Sequence, residues 1–500
     1  MLVENQGHVP DILDCIANLS SDEVFTPPDV ANQVLDLLPK EIWSNADIKI
    51  LDPCTKTGIF LRESARRLMV GLEKKIPDEI ARREHIFKNM LFGIAITELT
   101  GLVSRRSLYY SKDTTSEYAV VNFEISDGNI SYKRMEHEYA QGKCKVCGSP
   151  YENLERGESM ENYAFQFIHD EEVGKMKFDV IVGNPPYQLE SGGYGPQATP
   201  IYQLFVEQAF RLKPRYVCMI TPSRWFAGGM GLDGFRQRML ESTNFRKLVD
   251  FSNAADLFPG VEIKGGVSYF LWDKNYEGKC ETLLVQDGIP GKSVSRFLGE
   301  HGDTFIRFNE AIPILEKIKA KNIDSLGDLV SGVNPFDLAT NFKEFCEPKT
   351  KSAVQVFVRG GINYVESDRI TKNPTLLKSW KVLLSQAYNG GDNFPHQIIG
   401  KPFVAKPGEG CTMTYLAIGP LKNQIEAENL TEFLKTKFAR FLIALKKNTQ
   451  HLSKSKFDFV PKIDYSRKWN DESLYEMFGI TNSEQQFIAK IVRDMGNGEE

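Results

Sequence analysis

The chain has 500 residues, 41% apolar and 25% charged, the composition of a globular protein with a real core rather than a disordered or fibrous one. At about 150 residues per domain there is room for two or three domains. The net charge of −5 excludes a uniformly basic nucleic-acid coat but not a local basic cleft, because binding depends on where charge sits. The eight cysteines are scattered apart from one pair, which reads as a reducing, cytosolic setting rather than a disulfide framework. The opening "MLVENQGHVPDILDC" has no basic region followed by an apolar one, so no secretory signal is expected. No apolar run approaches the roughly 20 residues that span a bilayer, so no membrane partner is expected.

In chain order, the first half alternates short apolar runs with amphipathic stretches, which predicts an α/β sheet. "VFTPPDVANQVLDLLP" is a Pro-stiffened turn opening a helix over 28–38. "IKILDP" predicts a strand over 48–53 that ends in an acid, Asp52. A turn containing Gly58 then leads into a helix over 59–75. That is how such folds let backbone approach a nucleoside-bearing cofactor. The Gly-x-x-x-x-Gly-Lys-Ser/Thr spacing of a P-loop is absent. A strand over 91–96 and a helix over 98–109 follow, and then a polar stretch, 110–176, that reads as an insertion between strands. Further strands are predicted at 178–183, 215–222, 247–251 and 266–272, with helices at 200–212 and 233–241. Beyond about 275 the alternation fades into less regular sequence with Gly-rich turns ("RGGINY", "YNGGDN", "KPGEGC"). This places a domain boundary near 275–300.

The 178–183 strand runs into Asn184-Pro185-Pro186-Tyr187. Each proline fixes its own φ and biases the residue before it toward extended backbone, so this is a stiff segment leaving the carboxyl end of a strand. In open α/β sheets, ligands bind at that end. The Asn side-chain oxygen and the Pro185 carbonyl become two fixed acceptors, which suits an exocyclic NH2 with two hydrogens to give. Tyr187 adds a flat face. The implied ligand is a planar base carrying an amino group. The plainer alternative is a Pro-rich turn capping a strand.

The ordered set Phe-Thr-Pro-Pro, then Asp-Pro with Gly-x-Phe-Leu, then Asn-Pro-Pro-Tyr resembles the S-adenosylmethionine-dependent amino-methyltransferases acting on DNA. More narrowly, it is similar to the gamma-order adenine-N6 methylases of type II restriction–modification systems. "MITPSRWFAGG", "LFPGVEIKGGVSYFLW" and the tail "TQHLSKSKFDFVPKIDYSRKWNDESLYEMFGIT" extend the likeness. It implies a Rossmann-like class I methyltransferase fold over 1–275 with the inserted segment. A mixed α+β target-recognition domain over 276–500 would follow. Asn184, Pro185, Pro186 and Tyr187 would be catalytic, with Tyr187 and Phe258 stacking on a base flipped out of the duplex. Phe25, Thr26, Pro27, Asp52 and Gly58 would hold S-adenosylmethionine. Double-stranded DNA is the implied partner, with a cognate restriction endonuclease a further one. The expected location is cytoplasmic, on the nucleoid when bound to DNA.

The chain departs from the family pattern twice. Lys56 stands where the first Gly of the family's Gly-x-Gly turn belongs, and Ala95 where an acid normally binds the ribose hydroxyls. Thr97 or Glu98 would then take over the ribose, and Asp170 or His169 is the nearest polar candidate for the motif beside the cofactor adenine. These departures keep open a DNA-binding homologue weakened in catalysis. The same Asn-Pro-Pro-Tyr motif also serves methyltransferases of RNA and of protein glutamine.

Three features stand apart. Cys144-Lys-Val-Cys147-Gly148 has zinc-knuckle spacing, with His137 and His169 as possible partners, but one pair is half a site, and free thiols in an insertion are the other reading. Asp256 with Glu262-Ile263-Lys264 mimics a nuclease core, but the triplet sits in a methylase motif, so no nuclease is expected in this chain. Residues 435–468 carry ten Lys/Arg against two Asp, interleaved with aromatics. Phosphate contact and a solvated helix over core aromatics are both open readings.

Overall fold

Along the strand Val180–Gly183, Val180 and Val182 join one hydrophobic cluster and Ile181 the other. The same alternation holds at Val217 and Met219 against Cys218 and Ile220, so each strand feeds two cores on opposite faces of one sheet. The computed structural model describes residues 24–151, 164–189, 199–348, 352–388, 395–447 and 451–495. The N-terminal stretch read for a signal and most of the "YNGGDN" turn lie outside them.

The chain divides into two units at Phe305/Ile306. The first is built on a ten-stranded mixed sheet. Its spatial order is Ile289–Pro290, Cys280–Gln286, Phe245–Phe251, Val267–Asp273, Tyr216–Pro222, Val180–Gly183, Ile50–Thr55, Leu91–Ala95 and Ile130–Ser131. The strand Val294–Arg296 pairs with Cys280–Gln286 off this path. The last five strands of the main order are mutually parallel, and Val267–Asp273 is antiparallel to both neighbours. From Ile50–Thr55 the chain winds outward one way through Leu91–Ala95. It then returns to Val180–Gly183 and winds outward the other way. The switch point lies between Ile50–Thr55 and Val180–Gly183, where ligands bind in such sheets.

Helices cover both faces. Pro28–Leu35 and Ile59–Gly71 pack on one side, and Tyr202–Arg211 and Asp233–Glu241 on the other. The first two are tied together by Arg67, which bonds the Asn32 carbonyl and side chain and pairs with Asp36. Proline opens the first helix, as expected, but both end before their predicted limits of 38 and 75.

The inserted segment is not wholly outside the sheet. Ile130–Ser131 pairs in parallel with Leu91–Ala95 and forms one sheet edge, held by Asn129, whose side chain donates to the carbonyls of Phe87, Lys88 and Leu91. The first unit also runs past the expected boundary at 275. Cys280–Gln286 pairs in parallel with Phe245–Phe251 and so belongs to the sheet.

The second unit is mixed α+β. Two three-stranded sheets share it with the helices Ala311–Lys319, Gln424–Lys435, Lys437–Lys446, Asp471–Phe478 and Asn482–Ile491. No described helix is long and apolar enough to cross a membrane.

One close approach is testable. A Cβ on Gly71 would lie 2.0 Å from the Trp43 carbonyl oxygen, so the helix end sits directly on the turn Lys40–Ser44. Gly71→Ala is expected to destabilise the chain by about 1–3 kcal/mol through overpacking, read as a lower urea midpoint. An unchanged midpoint would show that the contact relaxes freely.

Candidate active site

The loop after Ile50–Thr55 is anchored from inside. Asp52 is buried, and its Oδ1 accepts from the Cys54 N–H at 3.2 Å. Burial pushes its carboxyl up to about 7, against the opposing pull of the Cys54 N–H and the Lys56 charge. Gly58 has φ of 73° and caps the helix Ile59–Gly71, and a Cβ there would lie 3.2 Å from the Ser104 carbonyl. Only glycine meets both demands without strain. Gly183 is equally confined: a Cβ there would lie 2.9 Å from the Cys54 sulfur and 3.1 Å from Asp52 Oδ1. The Cys54 and Asp52 side chains of the strand Ile50–Thr55 therefore pack directly on the Gly183 backbone that leads into the Asn-Pro-Pro-Tyr loop.

The third piece is the segment before the first helix. The Val24 carbonyl accepts from Lys56 Nζ at 3.0 Å and from Asn184 Nδ2 at 3.2 Å, which uses both of its lone pairs. Asn184 Nδ2 also donates to Thr26 Oγ1 at 3.2 Å. A carbonyl can only accept, so the amide end facing Val24 must be the NH2. The other end, Oδ1, is buried without a hydrogen-bond partner of normal geometry among the described residues. Tyr187 Oη is in the same condition, although Asn184 acts on the phenol and so faces it. Burial raises that phenol far above its usual range. A buried acceptor left open in this way costs on the order of 1–3 kcal/mol, which a ligand's N–H group would recover.

Lys56 thus has a job that a glycine could not do. Its side chain is buried, its ammonium holds Val24, and its backbone carbonyl accepts from Ser104 Oγ. Val24 was missed from sequence, and nothing could have signalled it, since every residue carries a carbonyl.

The remaining candidates fall in different places. Phe25, Thr26 and Pro27 are half-buried beside this junction. Pro185 and Pro186 are buried. Phe258 is buried in the same cluster as Tyr187. The Thr97 hydroxyl is engaged in a capping box with Thr100 at the start of Glu98–Tyr109, whereas Glu98 is exposed. Asp170 caps the turn Glu171–Lys175 and pairs with Lys133. His169 points instead at Cys144: its Nε2 lies 3.8 Å from the Cys144 sulfur, and His137, Cys144, Cys147 and His169 gather their donor atoms within 4.8 Å.

The basic stretch 435–468 is mixed: most of its aromatics are core while its cations range from buried to exposed, so both readings of it stay open. Arg440 is buried and donates to the carbonyls of Lys435, Gln397 and Arg493, and Lys446 is buried against Asp458. Phe438, Phe441, Phe457, Tyr465 and Trp469 are core. Lys454, Lys462, Arg467 and Lys468 remain exposed.

Asp52 gives a pH test. Between its ordinary value of 3.8 and about 7, the unfolded chain is ionised while the folded chain keeps its proton. Unfolding releases a proton there, so stability falls as pH rises through that window and levels above it, on the order of 4 kcal/mol in all. Asp52→Asn should remove that fall when urea midpoints are measured from about pH 4 to about pH 8. Parallel curves for both proteins would show that Asp52 is not held neutral.

The chain matches known proteins in sequence. The family described as Eco57I restriction-modification methylase matches residues 89–258, which include Asn184 to Tyr187 and Phe258. An "Uncharacterized adenine-specific methylase" of Mycoplasma pneumoniae (strain ATCC 29342 / M129 / Subtype 1) is 41% identical over 310 residues, covering 56% of this chain and 73% of that relative. Among solved structures, a nuclease-deletion mutant of the Type ISP restriction-modification enzyme LlaGI in complex with a DNA substrate mimic aligns with a TM-score of 0.49. It is 12% identical, over 90% of this chain and 47% of that one. The Type IIL restriction-modification enzyme MmeI in complex with DNA aligns with a TM-score of 0.45 and 10% identity, over 89% of this chain and 65% of that one. The chain spans about half to two thirds of the length of these two enzymes. On the shared sequence, the chain belongs to the Eco57I restriction-modification methylase family, the adenine-specific DNA methylases.

Proposed function

We propose that this chain transfers a methyl group from S-adenosylmethionine to the N6 amino group of an adenine flipped out of duplex DNA. The observation that carries the reading is the orphaned, buried Oδ1 of Asn184 on an amide whose other end is pinned. Asn184 Oδ1 and the Pro185 carbonyl accept the two N6 hydrogens. The adenine lone pair is otherwise delocalised into the ring, and holding both hydrogens favours a pyramidal nitrogen with its lone pair aimed outward. S-adenosylmethionine, held by Phe25, Thr26, Pro27, Asp52 and Gly58, would supply a methyl on a sulfonium, so that transfer to N6 would break the C–S bond and release the extra N6 proton to solvent. Pro185 and Pro186 keep the acceptors fixed, so little reorganisation is needed in the transition state. Tyr187 and Phe258 stack on the base.

Phe25, Thr26 and Pro27 would line the methionine end. Asp52 offers a buried carboxylate to a cationic cofactor, and Gly58 offers close backbone. Thr97 is occupied by its cap, which leaves Glu98 as the better ribose ligand, and Asp170 would lie toward the cofactor adenine. Cofactor motifs precede the catalytic motif and a long second unit follows, which supports the gamma order of type II systems. That second unit would read the DNA sequence, with exposed Lys454, Lys462, Arg467 and Lys468 as phosphate contacts. A separate endonuclease would be its partner in restriction. A metal held by His137, Cys144, Cys147 and His169 would be structural, because a sulfonium donor needs no Lewis acid.

Labelled-methyl transfer to duplex DNA tests the reading. Asn184→Ala is expected to lower the single-turnover rate about 100-fold or more while S-adenosylmethionine still binds. A wild-type rate in that variant would remove Asn184 from the chemistry.

A further inference from the structure

Within the inserted segment, 110–176, lies a compact turn. Tyr139–Ala140 pairs with Lys143–Cys144, the Cys144 N–H donates to the Ser149 carbonyl, and the Gly148 N–H donates to the Cys144 carbonyl. Gly148 takes φ of 73°, which folds the chain back after Cys147. The Val146 N–H lies 3.4 Å from the Cys144 sulfur, as amides do around a thiolate in a metal knuckle. Neither cysteine is in a disulfide.

Two histidines complete the ring of donors. His169 Nδ1 lies 3.0 Å from the Phe165 carbonyl. That oxygen can only accept, so the proton sits on Nδ1 and the lone pair on Nε2, the atom 3.8 Å from the Cys144 sulfur. His137 Nδ1 lies 3.6 Å from the Cys147 sulfur. A tetrahedral zinc with bonds of about 2.3 Å to sulfur and about 2.0–2.1 Å to nitrogen has S···N edges of about 3.6 Å. All four donor atoms lie within 4.8 Å of one another, and no carboxylate is among them.

We propose that His137, Cys144, Cys147 and His169 form a four-coordinate structural zinc site that fastens the turn around Cys144 and Cys147 to the helix Gln166–His169, near the end of the inserted segment and ahead of the Asn184 strand. The two soft sulfurs select zinc over magnesium or calcium. With four protein ligands there is no open position for substrate. The anchor is firm on the far side, because Phe167 and Ile168 of that helix are buried in the core cluster that also takes Ile94 and Phe205. Lys133, also in the inserted segment, pairs with Asp170 next to His169 and reinforces the same junction.

The full chain, purified without chelator, is the material for the test. Elemental analysis should find one zinc per chain, and Cys144 and Cys147 should resist iodoacetamide until a strong chelator is added. Exchange with Co2+ should give a thiolate-to-cobalt charge-transfer band and the intense visible bands of a tetrahedral ion. His169→Gln should lower zinc affinity about 10-fold or more. If that variant fails to fold, the cobalt spectrum of the unaltered chain decides. A chain that is metal-free and takes up Co2+ without those bands overturns the site, as does equal alkylation of both cysteines with and without chelator. None of these readouts requires methyl transfer, so they stand or fall apart from it.

Discussion

One carbonyl organises the candidate site. Val24 O accepts from Lys56 and from Asn184, and so joins the segment before the first helix, the turn after the first strand and the loop after the Val180–Gly183 strand. Because it accepts the Asn184 NH2, it fixes which end of that amide faces outward. An adenine N6 group needs an acceptor, and the amide offers one only in this orientation. Glycine at 183 serves the same end, since any side chain there would strike Cys54 and Asp52.

The sheet explains why these three segments can meet. Ile50–Thr55 and Val180–Gly183 are parallel neighbours at the switch point, so their carboxyl ends open side by side. Arg67 holds the Pro28–Leu35 helix against Ile59–Gly71, which brings Val24 to Thr26 over the same edge. Asp52 is buried at the bottom of this junction and is held toward its neutral form. A cationic ligand would favour its charged form, so binding and the charge state of Asp52 are coupled.

Much of this was legible in the sequence. Periodicity located the six main strands and the helices between them, and the prolines marked Asn184 as a fixed group at a strand end. Helix ends were less legible: regular helix stops at Leu35 and Gly71, although apolar Leu37, Leu38 and Leu72 lie past those ends. The strand Ile130–Ser131 is too short to show alternation, and Cys280–Gln286 lies where that signal had faded. Lys56 was visible only as a departure, because its meaning lies in Val24, far along the chain. His169 was split between two roles until its Nδ1 contact with Phe165 fixed its direction. In the 435–468 stretch charge density could not show which cations are buried, and Arg440 finds its partners in carbonyls from distant segments.

The most direct test of this arrangement is the single-turnover transfer rate of Lys56→Met, which keeps an apolar stem of similar length and removes only the ammonium. A charge-assisted hydrogen bond contributes about 1.5–3 kcal/mol, so losing the hold on Val24 should slow transfer roughly 10- to 100-fold. Asn184 itself would be untouched in that variant. Wild-type cofactor affinity together with a wild-type rate would contradict the account, because Asn184 would then be oriented without the Val24 anchor.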